Sequence, residues 1–119
     1  MGAACIGLAL CRLPAPAVAG DVTIVDATAR QSGLTWTFSV TLLHADTGWE
    51  HYADLWQVIG PDGQVLGERV LLHPHVHEQP FTRSLSGVEI PEGVEDVIIR
   101  ARDSKHGMSP NEFRITIPR

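Results

Sequence analysis

Residues 35–42 alternate without a break. Trp36, Phe38, Val40 and Leu42 take one set of positions, and Thr35, Thr37, Ser39 and Thr41 take the other. Successive side chains of an extended chain point to opposite faces, so this run makes one apolar face and one hydroxyl-bearing face. It predicts a half-buried strand and argues against a helix, whose apolar positions recur every three to four residues. The same period carries along the chain. Val22 and Ile24 open a first strand. Residues 52–59 follow with Trp56 and Val58 on one face, then 64–72, 81–85, 94–101 with Val97, Ile99 and Ala101 aligned, and 113–117 with Phe113, Ile115 and Ile117 aligned. Gly60-Pro61-Asp62-Gly63 has the composition of a tight hairpin turn, and 87–93 that of a loop. Seven short strands at intervals of about ten residues predict an all-β chain, a seven-stranded immunoglobulin-like antiparallel β-sandwich. Trp36 and Trp56 fall on its core faces.

A length of 119 residues implies a single domain. Residues 3–10 are apolar, and Ala17-Val18-Ala19 is a small-x-small site before Gly20. This pattern predicts a signal peptide over 1–19, cut after Ala19, and a single β-sandwich domain over 20–119 in the periplasm or outside the cell. No Lys or Arg precedes the apolar run. A lipoprotein reading at Cys11 places bulky Leu10 just before the cysteine. The run is too short for a membrane span. Cleavage removes Cys5 and Cys11, and with them any disulfide or thiolate ligand. The net charge of −5, with no basic cluster, argues against a nucleic-acid partner.

All six histidines fall in three stretches: His44 with His51, then His73, His75 and His77, then His106. The predicted loops are 44–51, 73–80 and 102–111. In an antiparallel succession of strands alternate loops share an end, so one pole is expected to carry every imidazole. That predicts a metal site, because imidazole binds zinc, copper, nickel and iron. His44 and His51 end one loop and can clasp an ion. Asp46 and Glu50 between them are oxygen ligands or acceptors that fix the imidazole tautomers. Pro74 disfavours helix, so His73, His75 and His77 are expected to face one way on an extended segment. Neighbours in such a row stand about 7 Å apart, too wide for three ligands on one ion. The expected ligand set is therefore His44, His51 and His106 with one of His73, His75 or His77. Asp46, Glu50, Glu78 and Asp103 are auxiliary. The alternative for 73–80 is an exposed polar loop. Met108 would matter only for Cu(I).

His44, the pair His51-Tyr52 with Trp56, and His106-Gly107 resemble the iron-binding domain of superoxide reductase and desulfoferrodoxin. The resemblance runs from His44 to Met108. It implies a small β-sandwich whose loops at one pole hold an iron through four histidines and one cysteine. The position that matches the cysteine is Asp103. A carboxylate there changes the softness of the donor set and the redox potential. The family's histidine near the N-terminus has no counterpart before His44, so one of His73, His75 or His77 would replace it.

Three functions follow as expectations. The first is a metal-binding module of the periplasm or exterior that holds copper, iron, zinc or nickel at the histidine-rich pole. The second is a superoxide reductase-like metalloenzyme that lacks the cysteine ligand. The third is a non-catalytic module that meets a periplasmic protein partner through Trp49, Tyr52 and Phe81 as exposed aromatic anchors. Exposed strand edges also leave a homodimer open. There is no phosphate-binding glycine loop and no nucleophile elbow.

Overall fold

A computed structural model describes residues 21–119; the predicted signal peptide, with Cys5 and Cys11, lies outside them. Among the described residues the chain is all-β. Its strands are β1 (Thr23–Ser32), β2 (Thr35–Leu43), β3 (Ala53–Ile59), β4 (Val65–Val70), β5 (Phe81–Val88), β6 (Asp96–Asp103) and β7 (Gly107–Thr116). They form two antiparallel sheets, ordered β1-β2-β5 and β4-β3-β6-β7.

The alternating side chains set the core. Phe38, Val40 and Leu42 from one sheet meet Trp56, Val58, Val97, Ile99 and Ala101 from the other in a single apolar cluster. Trp36 and Trp56 are both buried in it, as their positions in the alternation predict. The facing edges of the two sheets are stitched by side chains. The Val22 N–H donates to Ser109 Oγ at 2.8 Å, and Asn111 Nδ2 donates to the Val22 carbonyl at 3.0 Å. Across the other edge, Arg69 Nε donates to the Ser84 carbonyl at 2.9 Å. These bonds satisfy backbone groups that an open edge would leave to solvent or to another chain.

Gly67 on β4 marks the closest approach of that strand to β5. A Cβ there would stand 2.9 Å from Leu85 Cδ2 and 3.2 Å from Val88 Cγ2. Gly67→Val is expected to destabilise the domain by about 2 kcal/mol through overpacking, read as a lower urea midpoint with an unchanged m-value.

Strand bounds shift by one or two residues in β3, β4 and β6, and three strands differ more from the sequence reading. The last strand begins at Gly107, not Phe113, so the expected loop 102–111 shrinks to the turn 104–106. Pro110 and the polar run 109–112 hide this strand, but β7 is an edge, where proline is tolerated. Ser109 is buried because it serves the Val22 N–H, which apolar periodicity does not register. The fifth strand runs on to Val88 past a register shift. The first runs on to Ser32, with its alternation interrupted by an irregularity between Ile24 and Asp26.

The pairing fixes which ends coincide. Thr23 lies opposite Leu43, Leu42 opposite Phe81, Leu55 opposite Val70, Ala53 opposite Asp103, and Asp103 opposite Gly107. The connections 44–52, 71–80 and 104–106 therefore gather at one pole, together with the start of β1.

Candidate metal centre

Two turns build the site from opposite sides. In the first, the Thr47 N–H donates to the His51 carbonyl at 3.0 Å, and the His51 N–H to the Gly48 carbonyl at 3.1 Å. Gly48 has a φ of 149°, a conformation that L side chains rarely adopt. The chain doubles back there and delivers His51 close to His44. In the second turn, Asp103 Oδ1 accepts the backbone N–H groups of Lys105, at 2.9 Å, and His106, at 2.5 Å. Gly107, at φ 82°, returns the chain into β7. The Ser104 N–H donates to the Tyr52 carbonyl and Ser104 Oγ accepts the Tyr52 N–H, which locks the two turns together.

The result is one carboxylate oxygen ringed by imidazoles. Asp103 Oδ2 lies 3.4 Å from His44 Nε2, 3.4 Å from His51 Nε2 and 3.0 Å from His106 Nδ1. The His51 ring meets the His44 ring edge-on at 4.9 Å and the His106 ring at 4.8 Å between centroids. The side chains of His44 and Asp103 are fully buried, that of His51 is 17 % exposed and that of His106 is 43 % exposed. Ligand atoms of His44, His51 and Asp103 all lie within 4.8 Å of one another. Two donors bound at ~2.1 Å to a tetrahedral ion stand roughly 3.4 Å apart. The His44–Asp103 and His51–Asp103 spacings match that edge.

Asp46 orients the deepest member. Its Oδ1 accepts His44 Nδ1–H at 2.5 Å and the Ala53 N–H at 3.1 Å, and its Oδ2 accepts the His75 N–H at 2.7 Å. With a proton on Nδ1, His44 turns its Nε2 toward Asp103. A carboxylate that fixes the tautomer of an imidazole in this way is the usual support of a metal-ligating histidine. Burial alone would raise the Asp103 carboxyl. The backbone and ring of His106, the Lys105 N–H and the His51 ring outweigh that and hold it at about 2.

Other expected residues stand apart from this cluster. The segment 71–80 is not a strand, so His73, His75 and His77 form no single row, although the His73 and His75 rings touch at 4.7 Å between centroids. His75 is buried and stacks on Phe81 at 3.9 Å with 9° between planes. Its Nε2 faces Arg83 at 2.8 Å, and its Nδ1 has no hydrogen-bond partner among the described residues. His73 and His77 are exposed. Glu50 is exposed with its carboxylate over Gly48, and Glu78 pairs with Arg83. Met108 lies half-exposed on β7. Phe81 is buried, so it is no surface anchor, whereas Trp49 is 67 % exposed and stacks edge-on against Tyr52.

The sequence gives no sign of two supporting residues. Gln79 Oε1 accepts the His44 N–H while its Nε2 donates to the His75 carbonyl. Arg83 occupies the ring nitrogen of His75. Both are ordinary polar residues in the sequence and acquire their roles only through the crossing of the 71–80 segment.

The 71–80 segment also carries a titration. Burial, followed by the nearby Arg83 and His73, holds the His75 imidazole below its usual range. Its unfolded form therefore takes up a proton before the folded form does. The stability that neutral His75 contributes is complete above its unfolded value of 6.5 and falls as pH drops below it. Melting temperatures between pH 8 and 5 are expected to decline on the acid side, with a shallower slope in His75→Gln.

No family model matches the chain. A relative from Halomicrobium mukohataei, named as a lipoprotein, is 46% identical over 88 residues. That is 73% of this chain and 43% of the relative, so the chain spans less than half of the relative's length. The crystal structure of hypothetical protein PH1083 from Pyrococcus horikoshii OT3 is similar with a TM-score of 0.57 at 11% identity, over 87% of this chain and 95% of that one. This last likeness is one of fold.

Proposed function

We propose that this chain is an exported metal-binding domain in which His44, His51, Asp103 and His106 hold one transition-metal ion. The observation that carries the reading is the ring of three imidazole nitrogens around Asp103 Oδ2. With Nδ1–H donating to Asp46, His44 turns its Nε2 toward a carboxylate oxygen 3.4 Å away. Ligand atoms of two imidazoles and a carboxylate within 4.8 Å of one another, largely shielded from solvent, make a donor set of the size that one cation fills. The donors are imidazole and carboxylate, which suits iron, zinc or copper(II) better than a soft ion. His75 supports the site from outside through its backbone, whose N–H bonds Asp46 and whose carbonyl bonds Gln79.

The name of the Halomicrobium relative supports an envelope location, as do the apolar run 3–10 and the small residues Ala17 to Ala19. The sheet order β1-β2-β5 and β4-β3-β6-β7 supports an immunoglobulin-like sandwich. Calorimetric titration of tag-free protein with iron(II), zinc, copper(II) and nickel tests the function. Binding tighter than about 1 μM for at least one of them, lost in His44→Ala, is expected. No such binding for any of the four overturns the reading.

A second reading keeps the metal and adds chemistry. The half-exposed His106 leaves one side of the site open to a small oxidant, as in the superoxide reductase resemblance. It requires a redox metal, and Asp103 replaces the thiolate of that family. An iron-loaded form that does not react with superoxide or peroxide removes it.

A further inference from the structure

The exposed apolar side chains are not spread evenly. Leu43, Trp49, Leu72, Val76 and Met108 are 45%, 67%, 73%, 44% and 37% exposed, and all lie on connections or strand ends at the histidine pole. The opposite pole exposes Leu34 and Val65, and Val25 and Val70 are exposed on β1 and β4. Large apolar side chains exposed together at one end of a domain mark a place where something else covers them. Trp49 is the most telling member. An indole with an apolar body and a polar N–H favours the boundary between hydrocarbon and water.

The chain itself indicates what covers this surface. β1 starts at Thr23, opposite Leu43, so the first described residues enter the fold at this same pole. Cys11 lies ten residues before Asp21, and the apolar run 3–10 lies just beyond it. A ten-residue link reaches at most ~35 Å. Any attachment through this segment, by a lipid on Cys11 or by the apolar run itself, brings the histidine pole toward the membrane and not the far one. A short tether also raises the local concentration of the rim at the surface, so weak insertion of a few side chains suffices.

We infer that the histidine pole faces a lipid bilayer, with Trp49 and Leu72 entering its interface and the metal site held at the membrane surface. This rests on the envelope location proposed above, in the form in which Cys11 or the apolar run stays attached and is not removed by cleavage after Ala19, and not on the metal. The exposed cation of the turn 104–106 is Lys105, and Arg102 opposite Met108 is paired with Asp54, while Glu50 and Glu78 are also exposed here, so the pole has no net excess of cations among these groups. The contact is therefore apolar, and added salt is expected to leave it unchanged.

The test uses the full chain, purified from membranes in detergent and reconstituted with vesicles of phosphatidylcholine and phosphatidylglycerol. Brominated phosphatidylcholine then serves as a quencher of limited depth. Trp36 and Trp56 are 2% and 0% exposed, so any lipid-dependent change reports Trp49. Loss and blue shift of the emission are expected, in low and high salt alike, and their absence in Trp49→Phe. A chain that floats with the vesicles but shows no quenching overturns the orientation and leaves the envelope reading standing; its apolar rim then belongs to a protein partner or a second copy. A chain that does not float with them overturns both.

Discussion

Asp46→Ala is expected to lower stability by about 3 kcal/mol or more, because a buried donor left without its acceptor costs roughly 1–3 kcal/mol and this change strands three of them. The three are His44 Nδ1–H, the Ala53 N–H and the His75 N–H. They come from the start of the 44–52 connection, the start of β3 and the middle of the 71–80 connection, so one side chain ties the pole together. In thermal denaturation the loss corresponds to a melting temperature lower by roughly 15 °C for a domain of this size. Asp46→Asn keeps the volume and one acceptor oxygen, and should fall between wild type and alanine. The same variants are expected to bind metal 10- to 100-fold more weakly, in the range seen when the support of a ligating imidazole is removed. A stability change below about 1 kcal/mol would show that the pole does not depend on this carboxylate.

Asp103→Asn separates the two tasks of the second carboxylate. The amide oxygen still accepts the Lys105 and His106 N–H groups, so the turn is retained. The charge is lost, and metal affinity is expected to fall by roughly 100-fold or more for an ion that depends on the carboxylate. The metal-free protein gives an independent readout. The Asp103 carboxyl is lowered from 3.8 to about 2 on folding. Its contribution is therefore complete above the unfolded value and is lost as pH falls through the folded one. The linkage is worth roughly 2 kcal/mol. Wild-type stability should drop between about pH 5 and pH 2, and the Asp103→Asn profile should lack that component. Chemical denaturation across this range, with chelator present throughout, measures it. Asp103→Cys provides the complementary change. A thiolate is expected to move preference toward softer ions such as copper(I).

Much of the fold is legible as period two. Trp36 to Leu42 and Val97 to Ala101 read directly, because each strand buries one face against the other sheet. Gly60 to Gly63 reads as a turn because its residues tolerate the required backbone angles. β7 does not read this way. Its first half meets β1 at an edge, where Ser109 and Asn111 work by hydrogen bonding and an apolar pattern carries no information. The site divides along the same line. His44, His51 and His106 are prominent as isolated imidazoles, and strand counting places them at one pole. Asp103 reads as an auxiliary carboxylate. Only the pairing of Ala53 with Asp103 brings its oxygen into the centre of the ring.

The densest sequence signal, His73-Pro74-His75-Val76-His77, illustrates the limit. Spacing alone offered three imidazoles on one face. In the fold the segment crosses between sheets instead of extending along one, so His75 turns inward onto Phe81 while His73 and His77 remain outside. The sequence by itself determined the all-β character, the core tryptophans and the gathering of histidines at one end, since these follow from local alternation and from the up-and-down course of an antiparallel chain. The tertiary structure alone decided which of the six imidazoles converge, what orients them and which carboxylate they surround. Those outcomes depend on side chains 52 and 59 residues away in sequence meeting at distances of a few ångströms, His51 and His44 with Asp103, and no local pattern encodes such a meeting.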